Sequence, residues 1–372
     1  KPQFVGEKVK LGDLISKAKV ERCGDRSFPI YSMTMHDGIV EQSGRFKKAV
    51  ASKDTSSYKV VKKNQLVVGF PIDEGVIYVQ NHERAGIMSP AYNVWDFDSS
   101  RVIPAYLELA LHSPQSMAYY AEKLRGTTAR RRSLTADGLR ALPIVLPSIE
   151  RQSTVVEVLR GIKGQIADAR KTTDELDFLV KSRFVEMFGD LASYESRALK
   201  DCVLVIESGK SPKCLAKPRE GDNLGVLKLS AISSGVYKET ENKALPSDAK
   251  AADGKVVCDG DILLARKNTP ELVGQSVLVN HTDGNIMFPD IVFRMHVRPE
   301  VDEVYLSHAL AHPLAGAIKS LAHGSAKSMS NIPKSELAKL LIPLPPLALQ
   351  QEFAAFVTQV DKSRFIAQQQ IE

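Results

Sequence analysis

The chain has 372 residues, which is enough for two ordinary domains. Its 43% hydrophobic and 25% charged residues exclude a wholly disordered protein, and its net charge of +6 allows a polyanionic partner without requiring one. The four cysteines lie far apart, without the spacing of a zinc site or a disulfide scaffold, so we expect a cytoplasmic protein. The longest apolar run, at residues 340–349, is short and interrupted by prolines, so no contact with a membrane is expected.

The chain contains two copies of one sequence pattern. Residues 126–152 align without a gap with residues 324–350. The identical positions are Gly126 with Gly324, Leu139 with Leu337, Leu142 with Leu340, Ile144 with Ile342, Leu146 with Leu344, Pro147 with Pro345 and Gln152 with Gln350. Further matches occur along the chain at slightly different offsets, as loops of different length between fixed elements would produce. The sequence therefore predicts two tandem copies of one domain.

Each copy has the same order of predicted elements. Alternating apolar residues predict strands at residues 58–68, 76–80, 92–97, 256–265, 276–280 and 291–297. Each group of strands is followed by a helix, at about 104–123 and 303–321, and then by a polar loop that contains glycine. A short helix and a buried strand, at 142–146 and 340–344, close each copy at a proline. The predicted fold class is α/β or α+β.

A long helix is predicted after the first copy, from residue 149 to about 188, where proline is absent. Apolar residues recur in steps of four and three, at Val155, Leu159, Ile162, Ile166, Ala169, Thr173, Leu176 and Val180. Such a heptad seam is typical of a coiled coil. Gly189 is expected to end this helix. The second copy starts the same pattern at Phe353, Val357 and Val360. Packing of the long helix on its own domain is the alternative, but about 40 residues exceed the face of one domain.

Motifs for catalysis are missing. Residues 209–211 (Gly-Lys-Ser) match the end of a phosphate-binding loop, but Leu204 stands where the first glycine is required. The sequence contains no dinucleotide-binding glycine motif, nucleophile elbow or amino-methyltransferase signature. His308 and His312 lie four residues apart on a predicted helix, yet no third metal ligand accompanies them. We therefore expect no catalytic residue and no metal site.

Two groups of carboxylates, Asp73 with Glu74 and Asp96 with Asp98, resemble the acidic residues of nucleases. No lysine follows either group at the expected short spacing, and the second copy has no equivalents. We therefore expect solvated loops at both places. Composition alone does not exclude a Ser/His/Asp triad.

Basic residues are clustered in a Gly/Thr loop of the first copy that contains no acid. Guanidinium groups in such a loop can bind phosphates or guanine edges, and a solvated basic turn is the alternative. The candidate nucleic-acid contacts in the first copy are Lys47, Lys48, Arg125, Thr127, Thr128, Arg130, Arg131 and Arg132. Those in the second copy are Lys228, which lies on a predicted strand, and Arg266, Lys267, Asn268, Ser325, Lys327, Ser328 and Asn331.

Five segments are similar to a known family. The first copy contains G-T-T-A-R-R-R-S-L at 126–134 and L-P-I-V-L-P-S-I-E-R-Q at 142–152. The second copy contains G-D-I-L at 260–263, G-S-A-K-S-M-S-N-I at 324–332 and L-I-P-L-P-P-L-A-L-Q-Q at 341–351. Together with the duplication, these segments resemble the specificity subunit of type I restriction–modification systems. The closing strand of the first copy is the looser match.

The resemblance implies two target recognition domains of similar fold, at residues 1–148 and 191–346. Long helices at 149–190 and 347–372 would separate the domains and form an antiparallel coiled coil. Each domain would read one half of a split site in double-stranded DNA, while the helices would set the spacer and dock modification subunits. The C-terminal helix is shorter than the central one, so we expect partial pairing.

The resemblance also implies partners that carry the chemistry. Two modification subunits would bind AdoMet and methylate adenine, and two restriction subunits would use ATP and Mg²⁺. The specificity subunit itself would contain no cofactor. One alternative is a DNA methyltransferase or nuclease with an unrecognised active site, which turnover by the isolated chain would favour. Another is a coiled-coil adaptor without a role on DNA.

Overall fold

The computed structural model describes residues 6–42, 54–124, 132–252, 254–324 and 329–371. The chain forms two compact units, Lys1–Gln165 and Ile166–Glu372. The boundary between the units falls inside one long helix, whereas the sequence suggests a separate helical segment at 149–190. It falls there because Val156 belongs to the core of unit 1 and Val180 belongs to a core of unit 2.

In the described residues of unit 1, nine strands are followed by helices and a closing strand. The strands are β1 (Glu7–Lys10), β2 (Ile15–Lys17), β3 (Tyr31–Thr34), β4 (Gly38–Glu41), β5 (Lys59–Val61), β6 (Leu66–Val68), β7 (Ile77–Val79), β8 (Gly86–Met88), β9 (Asn93–Phe97) and β10 (Pro143–Leu146). The helices are α1 (Pro104–Leu111), α2 (Pro114–Lys123), α3 (Ala136–Arg140) and α4 (Ile149–Phe188), of which the last continues into unit 2.

Unit 2 follows the same plan with more strands. Its strands are β11 (Ser196–Ala198), β12 (Val203–Ser208), β13 (Gly225–Leu227), β14 (Asn242–Ala244), β15 (Ile262–Ala265), β16 (Lys267–Asn268), β17 (Ser276–Leu278), β18 (Ile286–Met287), β19 (Val292–Val297), β20 (Ser330–Asn331) and β21 (Leu341–Pro343). Its helices are α5 (Leu199–Cys202), α6 (Glu303–Ala311), α7 (Ala315–Ser320), α8 (Lys334–Leu337) and α9 (Leu347–Gln369).

Each unit is built on a four-stranded antiparallel sheet. The strand order is β2-β9-β6-β7 in unit 1 and β12-β19-β15-β17 in unit 2. Each strand of one sheet therefore has its counterpart, in the same position, in the other. This correspondence confirms the prediction of two tandem domains of similar fold.

The central strands are apolar throughout because both faces of each sheet are buried. Successive side chains of a strand point to opposite faces. In β6, Leu66 faces the core formed with α1 and α2, whereas Val67 belongs to the cluster on the other face. In β15, Ile262 likewise belongs to the hydrophobic cluster on one face of the sheet, and Leu263 belongs to the cluster on the other face. Continuous apolar runs such as Ile262–Ala265 follow from this double burial.

The closing strand returns to the start of each unit. β1 pairs antiparallel with β10, and β11 pairs antiparallel with β21. The amide of Leu11 donates to the carbonyl of Leu142, and the amide of Leu199 donates to that of Leu340, each at 2.8 Å. Each unit thus closes on itself through equivalent residues of the sequence repeat.

A buried glutamine attaches α4 to unit 1. Gln152 is fully buried, and its Oε1 accepts a hydrogen bond from the amide of Ile103 at 2.9 Å. Its Nε2 donates to the carbonyls of Arg101 and Pro147, both at 2.9 Å. This side chain therefore connects the first turn of α4, the strand end before it and the segment that enters α1.

Gln350 does the same for α9 in unit 2. It is 1% exposed; Oε1 accepts from the amide of Asp302 at 3.0 Å, and Nε2 donates to the carbonyl of Pro345 at 2.7 Å. Gln152 and Gln350 are therefore equivalent in structure as well as in sequence. We refer to them as the anchor glutamines.

The structure corrects the two helices predicted at 104–123 and 303–321. Each is interrupted, to give α1 and α2 in unit 1 and α6 and α7 in unit 2. In unit 1 the side chain of Ser113 accepts from the amide of Ser116 and caps α2, whose first residue is Pro114. A proline at the first helical position is favourable because it has no amide to leave unpaired.

Two predicted strands are also shorter than expected. Residues 58–68 form β5 and β6 around a turn in which Asn64 has a φ of 63°, which asparagine tolerates. Within 256–265 only β15 is a strand, and Val256 makes a single bridge to Met287. Lys228, predicted on a strand, instead follows β13 and directly precedes a short 3-10 helix, Leu229–Ala231.

The second half of α4 packs against α9 within unit 2. The shared core contains Val180, Phe184, Phe188, Phe353, Val357 and Val360. Arg183 pairs with Glu352 at 3.3 Å, and Asp177 pairs with Arg364 at 2.5 Å. Because the higher number in α4 meets the lower number in α9, the two helices run antiparallel.

The predicted seam of α4 is buried only in its second half. Ala169 is 3% exposed, whereas Leu159 and Ile162 are 37% and 46% exposed. α4 ends at Gly189, whose φ of 49° is accessible to glycine at little cost, as predicted. Among the helices of the described ranges, none has an apolar stretch long enough to cross a bilayer.

Candidate nucleic-acid interface

Ten of the sixteen candidate contacts lie outside the described residues. They are Lys47, Lys48, Arg125, Thr127, Thr128, Arg130, Arg131, Ser325, Lys327 and Ser328. The other six are placed by the structure: Arg132 in unit 1, and Lys228, Arg266, Lys267, Asn268 and Asn331 in unit 2.

Arg266 organises one end of the central sheet of unit 2. It follows β15 directly, and its Nη1 donates to Oγ of Ser208 at 3.0 Å. Its Nη2 donates to Oδ1 of Asn331 at 3.3 Å. The guanidinium carbon lies 4.9 Å from the ring centre of Phe293, in the geometry of a cation–π contact. Arg266 therefore holds Asn331, a candidate base contact, against the rigid sheet.

Asn331 is also fixed through its backbone. β16 pairs with β20, so that Lys267 lies opposite Asn331. On its other side, Asn331 exchanges two backbone hydrogen bonds with His323, of 2.8 and 2.9 Å. The polar loop of the second copy thus returns to the sheet at Asn331, with Lys267 half-buried beside it. The structure brings Arg266, Lys267 and Asn331 together at this end of the sheet.

Asn268 and Lys228 are placed less favourably for contact with DNA. Asn268 is 7% exposed, and its Oδ1 accepts from the amide of Thr269. Lys228 pairs with Glu241 at 3.3 Å. Hydrogen bonds from Ser230 and Lys228 hold the pKa of the Glu241 carboxyl below its ordinary value. Burial of Asn268 and the ion pair of Lys228 favour structural roles for both.

Sequence reasoning missed the two residues that support Arg266. Ser208 and Phe293 lie directly opposite each other in the register of β12 and β19. A serine at the end of an apolar strand was the available signal for the first, but nothing in the sequence associates Phe293 with Arg266.

A second missed feature is an ion-pair network on the same sheet. Glu207 pairs with Lys255 and Arg294. Burial opposes ionisation of Glu207, but the hydrogen bonds and charges of these two cations outweigh it and lower the pKa of the carboxyl. Arg294 also approaches Asp261 at 3.5 Å. This network neutralises its own charges, so it is suited to holding the sheet together.

In unit 1 the structure gives Arg132 a partner on each side. Its Nη1 and Nη2 lie 2.6 Å from the carboxylates of Asp73 and Glu74, respectively. Its carbonyl accepts from the amide of Ile72 at 3.0 Å. Asp73 and Glu74 therefore do not form the solvated loop that the sequence suggested. Arg132 attaches the end of the arginine-rich loop to the 3-10 turn Ile72–Glu74 between β6 and β7, with its charge compensated inside the protein.

A cleft lies beside this attachment point in unit 1. Its volume is about 150 Å³, and it is lined by Val68, Gly69, Phe70, Ala91, Asn93, Ser133 and Leu134. Since Ser133 and Leu134 directly follow the arginine-rich loop, the cleft opens where that loop meets the sheet.

The histidine pair of the second unit is part of a core. The ring of His308 lies 5.2 Å from that of Phe353, edge to face, and 5.8 Å from that of His312. Burial lowers the pKa of His308 to about 4. Over the described ranges no group of three His, Cys, Asp or Glu side chains is arranged to hold a metal ion.

Two solved structures from type I restriction–modification systems match the whole chain in fold. The chain matches an S subunit of a type I restriction–modification system from M. genitalium with a TM-score of 0.58 and 12% identity, over 100% of this chain and 94% of the other. A structure described as the basis of complex assembly and conformational transition of the type I R-M system matches with a TM-score of 0.54 and 16% identity, over 100% and 94%. The fold is therefore that of type I specificity subunits.

One curated protein is similar in sequence. The specificity subunit of the type I restriction enzyme EcoEI from Escherichia coli is 34% identical over 148 residues, which are 39% of this chain. The match spans 25% of the length of that relative. No family model matches the chain. The resemblance to type I specificity subunits is thus confirmed, in fold over the whole chain and in sequence over part of it.

Proposed function

We propose that this chain is the non-catalytic DNA-recognition subunit of a type I restriction–modification complex. The observation that carries the proposal is the duplication of the unit. In each of the two units, a polar loop joins the central sheet at the corresponding end. Two such surfaces on one chain suit a DNA site with two separate halves. The sequence similarity to a specificity subunit supports the same reading.

Each unit reads one half of the site. In unit 2, Lys267 supplies positive charge and Asn331 supplies a side-chain amide, the group that pairs with adenine in the major groove. In unit 1, the arginine-rich loop, which includes Arg125, Arg130 and Arg131, supplies the charge that attracts phosphates. The two units differ in these residues, so the two halves differ in sequence.

The long helices bind the modification subunits. On α4 of unit 2, Phe178 and Val185 are 72% and 67% exposed and lie seven residues apart, on the side of the helix away from Val180. On α9, Phe365 and Ile366 are 61% and 60% exposed. Large apolar side chains on a helix surface mark a site of protein contact. We assign this site to two modification subunits, which contribute AdoMet and the methyl transfer. Two restriction subunits contribute ATP and Mg²⁺.

Reconstitution with the methyltransferase subunit tests the proposal. We expect the purified chain alone to transfer no methyl group and to cleave no DNA. With the modification subunit and AdoMet, adenine methylation should appear at one split sequence, detectable by sequencing of methylated bases. Turnover by the isolated chain that is lost on mutation of one of its residues would contradict the proposal.

A further inference from the structure

The segment that follows β12 has an unusual charge. Residues 209–219 contain Lys210, Lys213, Lys217 and Arg219 and no acidic residue. The Gly-Lys-Ser at its start is not part of a nucleotide-binding loop, and none of its lysines is among the candidate contacts above. Its charge therefore needs a separate explanation.

The first part of this segment is attached firmly to unit 2. The amide of Lys210 donates to the carbonyl of Phe288 at 3.0 Å, and the amide of Leu215 donates to that of Ala244 at 2.8 Å. A Cβ atom on Gly209 would lie 1.9 Å from the carbonyl oxygen of Phe288. Glycine is therefore required for this close approach of two backbones. The loop between Lys210 and Leu215 is thus held at both ends.

Two of the four cations are bound by the protein itself. Lys217 pairs with Glu220 at 3.2 Å, and Arg219 pairs with Glu239 and Asp283 at 2.5 and 2.6 Å. Lys210 and Lys213 are exposed, and neither forms an ion pair with any residue that the structure describes.

These two lysines lie at the end of the sheet that presents the candidate interface. β12 ends at Ser208, two residues before Lys210, and Ser208 accepts the hydrogen bond from Arg266. Arg266 in turn binds Asn331. The acidic Asp290 nearby accepts a hydrogen bond from Ser211. The anchored loop therefore extends the polar surface formed by Lys267 and Asn331.

We infer that Lys210 and Lys213 bind phosphates of the DNA duplex whose bases unit 2 reads. Exposed ammonium groups on an anchored loop give sequence-independent attraction and fix the register of the base contacts. The inference rests on the proposed function and adds a phosphate-binding site to it.

The test is the salt dependence of DNA binding by the full chain. The probe is a fluorescent duplex of mixed sequence, titrated over a series of KCl concentrations. In the variant Lys210→Gln/Lys213→Gln, two lost phosphate contacts should lower the slope of log K against log salt by about 1.8. The variant Lys210→Arg/Lys213→Arg, which keeps both charges, should restore the original slope.

A matched control removes the same charge from the opposite end of the sheet. Lys200 and Lys339 are exposed and lie near the start of β12, where the amide of Lys200 donates to the carbonyl of Ala338. Lys339 pairs with Glu336 at 3.2 Å. The variant Lys200→Gln/Lys339→Gln should keep the original slope. An unchanged slope in the first variant, or equal losses in both, would overturn the inference while leaving the proposed function intact. Failure of the unmodified chain to bind DNA at any salt concentration would overturn both.

Discussion

Arg132 lies in an arginine-rich segment, and its guanidinium group pairs with two carboxylates of the same protein. The side chain is 29% exposed, and Asp73 opposite it is 13% exposed. Ion pairs that are partly withdrawn from water cost more to break than surface pairs, because the remaining charges stay desolvated. Arg132, the last arginine of that segment, therefore has a structural partner within the protein.

Replacing Arg132 by alanine should destabilise unit 1. We expect a loss of about 1–2 kcal/mol in the free energy of unfolding, since two carboxylates lose their partner. Chemical denaturation measures this loss, and Arg140→Ala, which removes an exposed arginine of α3, is the control. A flattened salt slope of DNA binding without any loss of stability would show instead that Arg132 contacts phosphate.

Arg266 allows a prediction about specificity. Lysine at this position keeps the charge but cannot bind Ser208 and Asn331 at once. The complex assembled from Arg266→Lys should lose about 1–3 kcal/mol of discrimination at one base of the half-site that unit 2 reads. Methylation rates on duplexes with single substitutions in each half measure this, with Arg298→Lys, beyond the other end of β19, as control. Equal loss in both halves would contradict the assignment.

At the scale of elements, the anchor glutamines combine deep burial with hydrogen bonds at both atoms of the side-chain amide. Buried amides leave unpaired donors and acceptors behind when they are removed, so their loss costs more than the net value of the bonds. Gln152→Met and Gln350→Met should each lower the free energy of unfolding of their own unit by about 2–4 kcal/mol. The control is Gln165→Met at an exposed position of α4. Losses no larger than that of the control would show that these bonds are dispensable.

The helix pair of unit 2 contains a buried histidine, His308, whose protonation affects the stability of the unit. Burial lowers the pKa of His308 from its ordinary 6.5 to about 4, and the charges of His312, Arg364 and Lys181 reinforce the effect. The neutral imidazole against Phe353 is therefore the stable form. Because the unfolded chain takes up a proton at higher pH than the folded one, stability is lost as the pH falls from about 6.5 towards 4.

His308→Gln should remove the part of this pH dependence that His308 contributes, whereas His312, whose pKa burial also lowers, contributes in both proteins. Over the window from pH 6.5 to 4, the stability of the unmodified chain relative to the variant should fall by about 3 kcal/mol. Asp361, whose pKa is raised by burial, contributes with the opposite sign in both proteins and cancels in the comparison. Denaturation at a series of pH values measures the difference. His36→Gln, at an exposed position of unit 1, is the control for the loss of a histidine.

The sequence predicted the elements whose signal is local or repeated. The sequence alone indicates the duplication, the central strands, the end of α4 at Gly189 and the equivalence of Gln152 with Gln350. The break at Ser113 was readable too, because Pro114 marks it, but the apolar pattern continues across the break. The pairing of Arg132 with Asp73 was not readable, since 59 residues separate them and only the fold brings them together. The same holds for Arg266, Ser208 and Phe293.

For the whole molecule, α4 is the continuous element shared by both units. It has 40 residues and therefore a length of about 60 Å. Leu159 and Ile162 are exposed in its first half, and a Cβ atom on Gly161 or Gly164 would meet no other atom within 4 Å. A change of length in this stretch disturbs the buried seam least.

Inserting four helix-forming residues after Gly164 should lengthen the unread spacer of the DNA site. The insertion adds about 6 Å of rise and a rotation of about 40°, which corresponds to just under two base pairs of DNA. Methylation mapping of the assembled complex should show the same two half-sites with a spacer longer by about one to three base pairs. The original spacer with full activity would show that α4 does not set the distance.

Each unit is closed by bonds between its own residues, and this affects how the two halves of the protein can be exchanged in evolution. β1 with β10, β11 with β21 and the two anchor glutamines all make their bonds within one unit. A recombination event inside α4 would therefore transfer a complete half of the protein without breaking any of these bonds. Under the proposed function, such an exchange replaces one half of the recognised sequence while the other half persists.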